Sequence, residues 1–227
     1  MTTKEKPIIF SAENVKQILS GAKTQTRRVV KPQPDDWTPY TQPEWYTSSA
    51  IDKDGMLVPG KEVFGVYSED GECSRVCPFG APGDRLWVKE AFWQHEFWDE
   101  TFVAFSDSGT DVVSRNNKTS KIRAVATQDW NLPPYRGQWI KKSPLFMPRW
   151  ASRLTLEITN VRCERLQDIS DADVIAEGFG DVGRFYRNST FIVTWDSLNA
   201  KRGFDWCMNP YVWVLESKKV ESEVLHG

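Results

Sequence analysis

Lys23, Thr26, Arg27 and Arg28 put an amine, a hydroxyl and two guanidinium groups into six residues of the run Ser20-Gly21-Ala22-Lys23-Thr24-Gln25-Thr26-Arg27-Arg28. Guanidinium forks and an ammonium grip anionic, planar, hydrogen-bonding ligands, so the run suits a nucleotide. A solvated basic turn is the other reading, and local chemistry leaves both open. Threonine is a poor nucleophile until a base removes its proton. A lysine can be that base when burial or neighbouring cations lower its pKa, and Arg27 and Arg28 are such neighbours. Lys23 and Thr26 are three positions apart, so a regular strand would face them in opposite directions. Both enter one pocket only if a turn lies between them. Glu177 breaks a local rule. It falls in the last turn of a short helix, where the helix dipole disfavours a carboxylate, so a cationic partner or a raised pKa is expected. A solvated glutamate is the alternative. A second basic cluster, Lys141, Lys142, Arg149 and Arg153, is interleaved with Phe146, Met147 and Trp150. There Trp150 is a candidate to stack on a ligand and Arg149 to bind a phosphate, with Ser152 a further contact.

Elements must position these groups. Ser11 is the expected N-cap of a helix carrying Val15, Ile18 and Leu19, and Gly21 its left-handed exit. The basic run then enters a strand at Val29-Val30. Residues 31 to 82 are rich in Pro, Gly, Ser and Asp and read as a long insertion with one hairpin around Met56 to Tyr67. Pro82-Gly83-Asp84 is a turn leading into a strand at Arg85 to Glu90. Ala91 to Trp98, Thr101 to Phe105 and Ile122 to Ala126 read as further strands. A polar loop is expected at 106 to 120 and an irregular segment at 129 to 139. Leu154 to Thr159 alternates strictly, as a half-buried strand does, and continues to Leu166. Ser170-Asp171-Ala172-Asp173 is a capping box opening the helix that ends at Glu177-Gly178. Phe191, Trp195 and Leu198 mark a helix from about 189 to 199, and Tyr211 to Leu215 a last strand before a polar tail. The pattern predicts an α+β chain with a mostly antiparallel sheet, plausible as a small barrel with helices to one side.

The 227 residues suit one domain, and 40% hydrophobic with 26% charged content describes a globular chain. A formal net charge of -2 leaves no global basic field, so any nucleic-acid contact must be a local patch. No stretch approaches the roughly 20 apolar residues that cross a bilayer, and Met1 to Pro7 has no secretory core, so a cytoplasmic protein without membrane contact is expected. His95 and His226 are the only histidines, which leaves a histidine triad or a two-histidine nuclease poorly supported. Cys73 and Cys77 have a four-residue offset without a nearby histidine, and Cys163 and Cys207 are isolated. A zinc site needs about four ligands, so buried or free thiols are expected, with no metal and no cofactor. Eleven tryptophans are expected to lie mostly in the core, with two or three at most touching ligand.

Ile18 to Arg28, the run Gly83-Asp84-Arg85-Leu86-Trp87-Val88, the alternating strand at 154 to 159 and the helix ending at Glu177 together resemble the ASCH domain. The resemblance is nearest to long, tryptophan-rich members common in phages and prophages. It covers roughly half the chain, leaving insertions at about 31–82 and 93–148 without a counterpart in small members. Its size and Trp87 after the Gly-Asp turn are departures from those members. The resemblance implies a PUA-like small mixed β-barrel with flanking helices, and a role in RNA binding or processing. One small bacterial branch hydrolyses N4-acetylcytidine with a lysine, a threonine and a glutamate. Carried over by the motif, these fall on Lys23, Thr26 and Glu177; Arg27 and Arg28, from the residues themselves, are expected to line the same cleft as substrate contacts. The implied function is nucleoside or RNA binding, with amidohydrolysis of an N4-acylated cytidine as its enzymatic form. A non-catalytic RNA or modified-base binding module and a ribonuclease are the alternatives.

Overall fold

The computed structural model describes residues 3–33, 41–68, 73–97, 100–105, 111–114, 122–123, 140–180, 183 and 186–220. In chain order the elements are β1 (Glu5–Ile9), α1 (Ala12–Leu19), β2 (Gln25–Val29), β3 (Glu44–Ile51), β4 (Leu57–Tyr67), β5 (Ser74–Val76), β6 (Arg85–Lys89), β7 (Phe92–Phe97), β8 (Glu100–Phe105), β9 (Asp111–Ser114), β10 (Ile122–Arg123), β11 (Ile140–Lys142), β12 (Thr155–Arg165), α2 (Asp171–Ala176), α3 (Arg187–Asn199) and β13 (Tyr211–Lys219). The chain is therefore α+β, mostly sheet with few helices, and no closed barrel is present among the described residues. Its contacts gather into two compact units. One comprises Met1–Lys4, Gly21–Asp84 and Glu157–Lys218; the other Glu5–Ser20, Arg85–Leu156 and Lys219–Gly227.

In the first unit β13 lies between β12 and β2. It pairs antiparallel with β2, setting Val214 opposite Arg27 and Leu215 opposite Thr26. Val212 and Val214 join Leu166, Val174, Phe191 and Trp195 in a core that holds α2 and α3 to this sheet. Burying each such side chain contributes about 1.5–3 kcal/mol. α2 starts as expected: the Ser170 hydroxyl accepts from the Asp173 N–H while the Asp173 carboxylate accepts from the Ser170 N–H. α3 starts two residues before the expected Ser189 and ends at Asn199. Leu198, expected on its buried stripe, is 65% exposed; Asn199 is buried instead, its amide donating to the Trp195 carbonyl at 3.0 Å. β13 runs past its apolar part because Glu216 pairs with Gln25 and the Ser217 N–H donates to the Thr24 carbonyl.

The hairpin expected at 56–67 is a single strand, β4, paired with β3 on one side and β5 on the other. β3 alternates between exposed and half-buried positions, without the apolar alternation that marks a strand in sequence. The turn between β3 and β4 is fixed by Asp52, whose carboxylate accepts from the N–H groups of Asp54 and Met56, both at 2.9 Å. Gly65 has no room for a side chain, since a Cβ would lie 2.1 Å from the Arg75 carbonyl oxygen on β5.

In the second unit β1 runs parallel to β6, with Ile8 opposite Val88. Ser11 caps α1 by accepting from the Asn14 N–H, and Val15 and Ile18 are buried. Leu19, expected on the same stripe, is the last residue of α1 and is 40% exposed. The chain leaves α1 through Gly21 at φ +80°, as expected. β7 to β11 form one sheet in the order β10-β9-β8-β7-β11 over a core of Phe92, Val103, Phe105, Met147 and Ala151. The polar stretch expected as a loop at 106–120 contains β9. The rest of that stretch and the segment expected at 129–139 lie outside the described residues, as do Trp37, Trp98, Trp130 and Trp139. Trp195 and Trp213 are buried, while Trp45 is 41% exposed. The four cysteines are free thiols. Among the described residues no helix is long and apolar enough to cross a membrane.

Candidate functional site

Two backbone contacts place the basic run. The Thr24 N–H donates to the Ala176 carbonyl at the end of α2, and the Thr24 carbonyl accepts from Ser217 on β13. Lys23 and Glu177 thereby become antiparallel bridge partners, although 154 residues separate them. The Lys23 amine donates to the Glu177 carboxylate at 2.6 Å and to its backbone carbonyl at 2.7 Å. Both side chains are only 5% exposed. The dipole-disfavoured acid at the helix end thus has its cation, and has a second one. Arg27 Nη1 lies 3.3 Å from the other Glu177 oxygen.

Arg27 extends the pair into a network. Its Nη2 donates to Glu164 at 2.7 Å and lies 3.5 Å from Asp173. Its Nε is buried without a hydrogen-bond acceptor among the described residues. Arg162 meets the same acids from β12: it donates to Asp173 at 2.9 Å, lies 3.5 Å from Glu164 and contacts Glu216. Burial opposes the charge on Arg162, but the Asp173 hydrogen bond and the carboxylates of Glu164 and Glu216 outweigh it and raise its pKa. Burial also works against the charge of Asp173. The Ser170 hydrogen bonds, Arg27 and the Gln25 side chain overcome this and hold the carboxyl well below the usual range. Burial pushes the Arg28 guanidinium below its ordinary value, with Glu177 opposing and Arg202 adding to the shift.

Three cations, Lys23, Arg27 and Arg162, are therefore paired with four carboxylates, Glu164, Asp173, Glu177 and Glu216. Arg28, whose charge Glu177 favours, and Arg202 beside it make five cations against the four acids, so the charges nearly match. Such a centre holds protons and hydrogen-bond donors at fixed positions, without the positive excess that draws in a polyanion.

Thr26 is buried on β2 opposite Leu215. Strand alternation puts it on the face opposite Arg27, and among the described residues its hydroxyl makes no hydrogen bond to Lys23 or Glu177. Arg149, Trp150 and Ser152 belong to the second unit and are engaged inside it. Arg149 forks onto Glu5 at 2.9 and 3.1 Å, a contact that holds the Glu5 carboxyl below its ordinary pKa. Trp150 packs against the Phe92 core. The Ser152 hydroxyl sits 2.8 Å from the Val88 carbonyl and 3.1 Å from that of Leu154.

Sequence reasoning passed over Arg162, Glu164 and Glu216, and read Asp173 only as a cap. The signal for Arg162 and Glu164 was present, since an i, i+2 pair of opposite charge on a strand shares one face. Comparison of the chain with family models, with curated proteins and with solved structures gives no match.

Proposed function

We propose that this is an ASCH-type protein with a PUA-like core, which binds a modified nucleoside beside Lys23 and Glu177 and hydrolyses the N4-acyl group of an acylated cytidine. The observation that carries the reading is the 2.6 Å contact between the Lys23 amine and the Glu177 carboxylate, both shielded from water. A buried ion pair stabilises a fold little more than an apolar pair of the same volume would, and often less. The matched charge of the network supports a neutral nucleoside over a long RNA.

The chemistry assigns two roles. The Glu177 carboxylate takes the proton of a water whose oxygen attacks the acyl carbonyl, while the Lys23 side chain donates to the carbonyl oxygen. The carbon–N4 bond breaks, and the proton passes to N4 as cytidine leaves. The water oxygen stays on the acyl carbon, which leaves as the carboxylic acid. Glu177 orients the amine and relays the proton.

The test is incubation of the full chain with N4-acetylcytidine and separation of cytidine and acetate by chromatography. Turnover is expected, with kcat falling about 100-fold or more in Lys23→Ala. A second reading, a binding module without turnover, is favoured by the lack of a hydrogen bond from Thr26 to Lys23. It predicts that the wild type binds N4-acetylcytidine and leaves it intact. A wild type that neither binds nor cleaves it removes both.

A further inference from the structure

The first unit also holds a cavity of about 340 Å³, lined by Thr3, Lys4, Trp45, Glu62 and the turn Ala81–Asp84. Its volume falls in the range of about 300–1,000 Å³ in which small-molecule sites lie. None of these residues belongs to the Lys23–Glu177 network.

The walls are built before any ligand arrives. Asp84 clamps two segments, accepting from the Lys4 N–H at 2.9 Å and from the Ala81 N–H at 3.1 Å. The Gly83 N–H is tied to the Ile158 carbonyl at 2.8 Å, and its φ of +91° suits glycine. Across the cavity, Trp45 packs edge-on against Phe64, its cross-strand partner, with centroids 5.6 Å apart. Glu62, two residues before Phe64 on β4, shares that face. The indole is fixed yet 41% exposed, an uncommon state for a tryptophan with a core available.

The polar groups on this lining differ in kind. Both Asp84 oxygens are occupied by backbone donors. The Glu62 carboxylate and the Lys4 ammonium form no hydrogen bond or ion pair among the described residues. The site therefore offers a flat aromatic wall, a two-oxygen acceptor and a cationic donor. A base that satisfies all three needs two adjacent N–H donors next to a carbonyl acceptor. Guanine has that edge: N1–H and the 2-amino group match a carboxylate, and O6 matches an ammonium. Adenine, cytosine and uracil each lack the paired donors.

We infer that the Trp45–Glu62–Lys4 cavity is a guanine-binding site, with the base stacked on Trp45, its N1–H and 2-amino groups on Glu62 and its O6 on Lys4. The inference stands apart from the proposed reaction, whose residues it does not use.

The test is calorimetric titration of the full chain with guanosine, adenosine, cytidine and uridine. Guanosine should bind at least about tenfold tighter than the other three, since a site built for hydrogen bonds rejects ligands lacking them. Trp45→Ala should weaken guanosine about fivefold to a hundredfold, the effect of losing one stacked base. Glu62→Gln should remove the preference for guanosine. Both side chains are exposed, and circular dichroism of each variant checks that the fold is kept. Lys23→Ala should leave guanosine binding unchanged. Equal binding of the four nucleosides, no binding of guanosine at millimolar concentration, or loss of binding in Lys23→Ala with none in Trp45→Ala would each overturn the assignment. Deacylation of N4-acetylcytidine has no bearing on any of these outcomes.

Discussion

Replacing Glu177 with glutamine removes one negative charge and leaves its shape. In the wild type the Lys23 amine has two acceptors, and both belong to residue 177: the carboxylate at 2.6 Å and the backbone carbonyl at 2.7 Å. Glu177→Gln keeps the carbonyl but leaves an ammonium that is 95% shielded without a counter-charge. Breaking a buried pair from one side costs about 3–5 kcal/mol. For a chain of this size that lowers Tm by about 6–20 °C. Lys23→Met should be milder, at about 1–3 kcal/mol, because Glu177 keeps Arg27 at 3.3 Å. Arg27 loses little in either variant, since Glu164 still accepts from it at 2.7 Å. The double variant should recover about 1–3 kcal/mol relative to the sum of the singles, as coupled neighbours do. Native-state hydrogen exchange at the β2–β13 amides reads this unit directly, so unfolding elsewhere in the chain does not confuse the result. A Glu177→Gln variant within about 0.5 kcal/mol of wild type, the level of an ordinary surface change, would mean that the pair is solvated. The proposed reaction would go with it.

Other expectations follow from the same coordinates. Because the folded-state pKa of Asp173 is depressed, its contribution is present above its unfolded value of about 3.9 and is lost as pH falls through the folded value; Asp173→Asn should therefore destabilise at neutral pH, and the gap to wild type should shrink in acid melts. Gly65→Ala should detach β5 from β4, since its Cβ would meet backbone at 2.1 Å, and amide exchange at Val66 and Val76 should accelerate. A thiol reagent at pH 8 should label exposed Cys207 fastest and leave Cys163 unlabelled by mass spectrometry, because burial pushes that thiol up to about 12. Glu90→Gln should cost about 3–5 kcal/mol, since it breaks a buried fork from Arg153 at 2.8 and 2.9 Å.

Local signals were readable where one residue type answers one backbone need. Ser11, Gly21, Ser170 and Gly83 fix helix ends and turns through their own hydrogen bonds or positive φ, and each does so in the structure. The acid at Glu177 was readable for a similar reason: a carboxylate against a helix dipole calls for a cation. Local chemistry did not say which cation; the family resemblance pointed to Lys23, and Thr24 brings the two segments together through its bonds to Ala176 and Ser217. β3 was missed since a strand with both faces near water has no apolar period to betray it. Leu198 misled because three apolar positions fit a helical stripe, while the chain buries the amide of Asn199 on α3 instead.

The pattern of charge around Lys23 narrows what such a centre can hold. An open basic run would bind phosphates, and its grip would weaken steeply with salt. Here Lys23 and Arg27 of the run are turned inward and matched by Glu164 on β12, Asp173 on α2 and Glu177 just after it. Arg27 is 1% exposed and has no reach to a phosphate in solution. What remains for a ligand is a set of donors in a dry, neutral setting, where each hydrogen bond is stronger than in water and a misplaced polar group is costly. A ligand that enters must itself be neutral and hydrogen-bonding. Binding of N4-acetylcytidine should accordingly change less than about threefold between 50 and 300 mM salt, against the several-hundredfold loss expected of a protein neutralising five or more phosphates. Equilibrium dialysis at the two salt concentrations measures this, and a steep salt dependence would return the basic run to phosphate recognition.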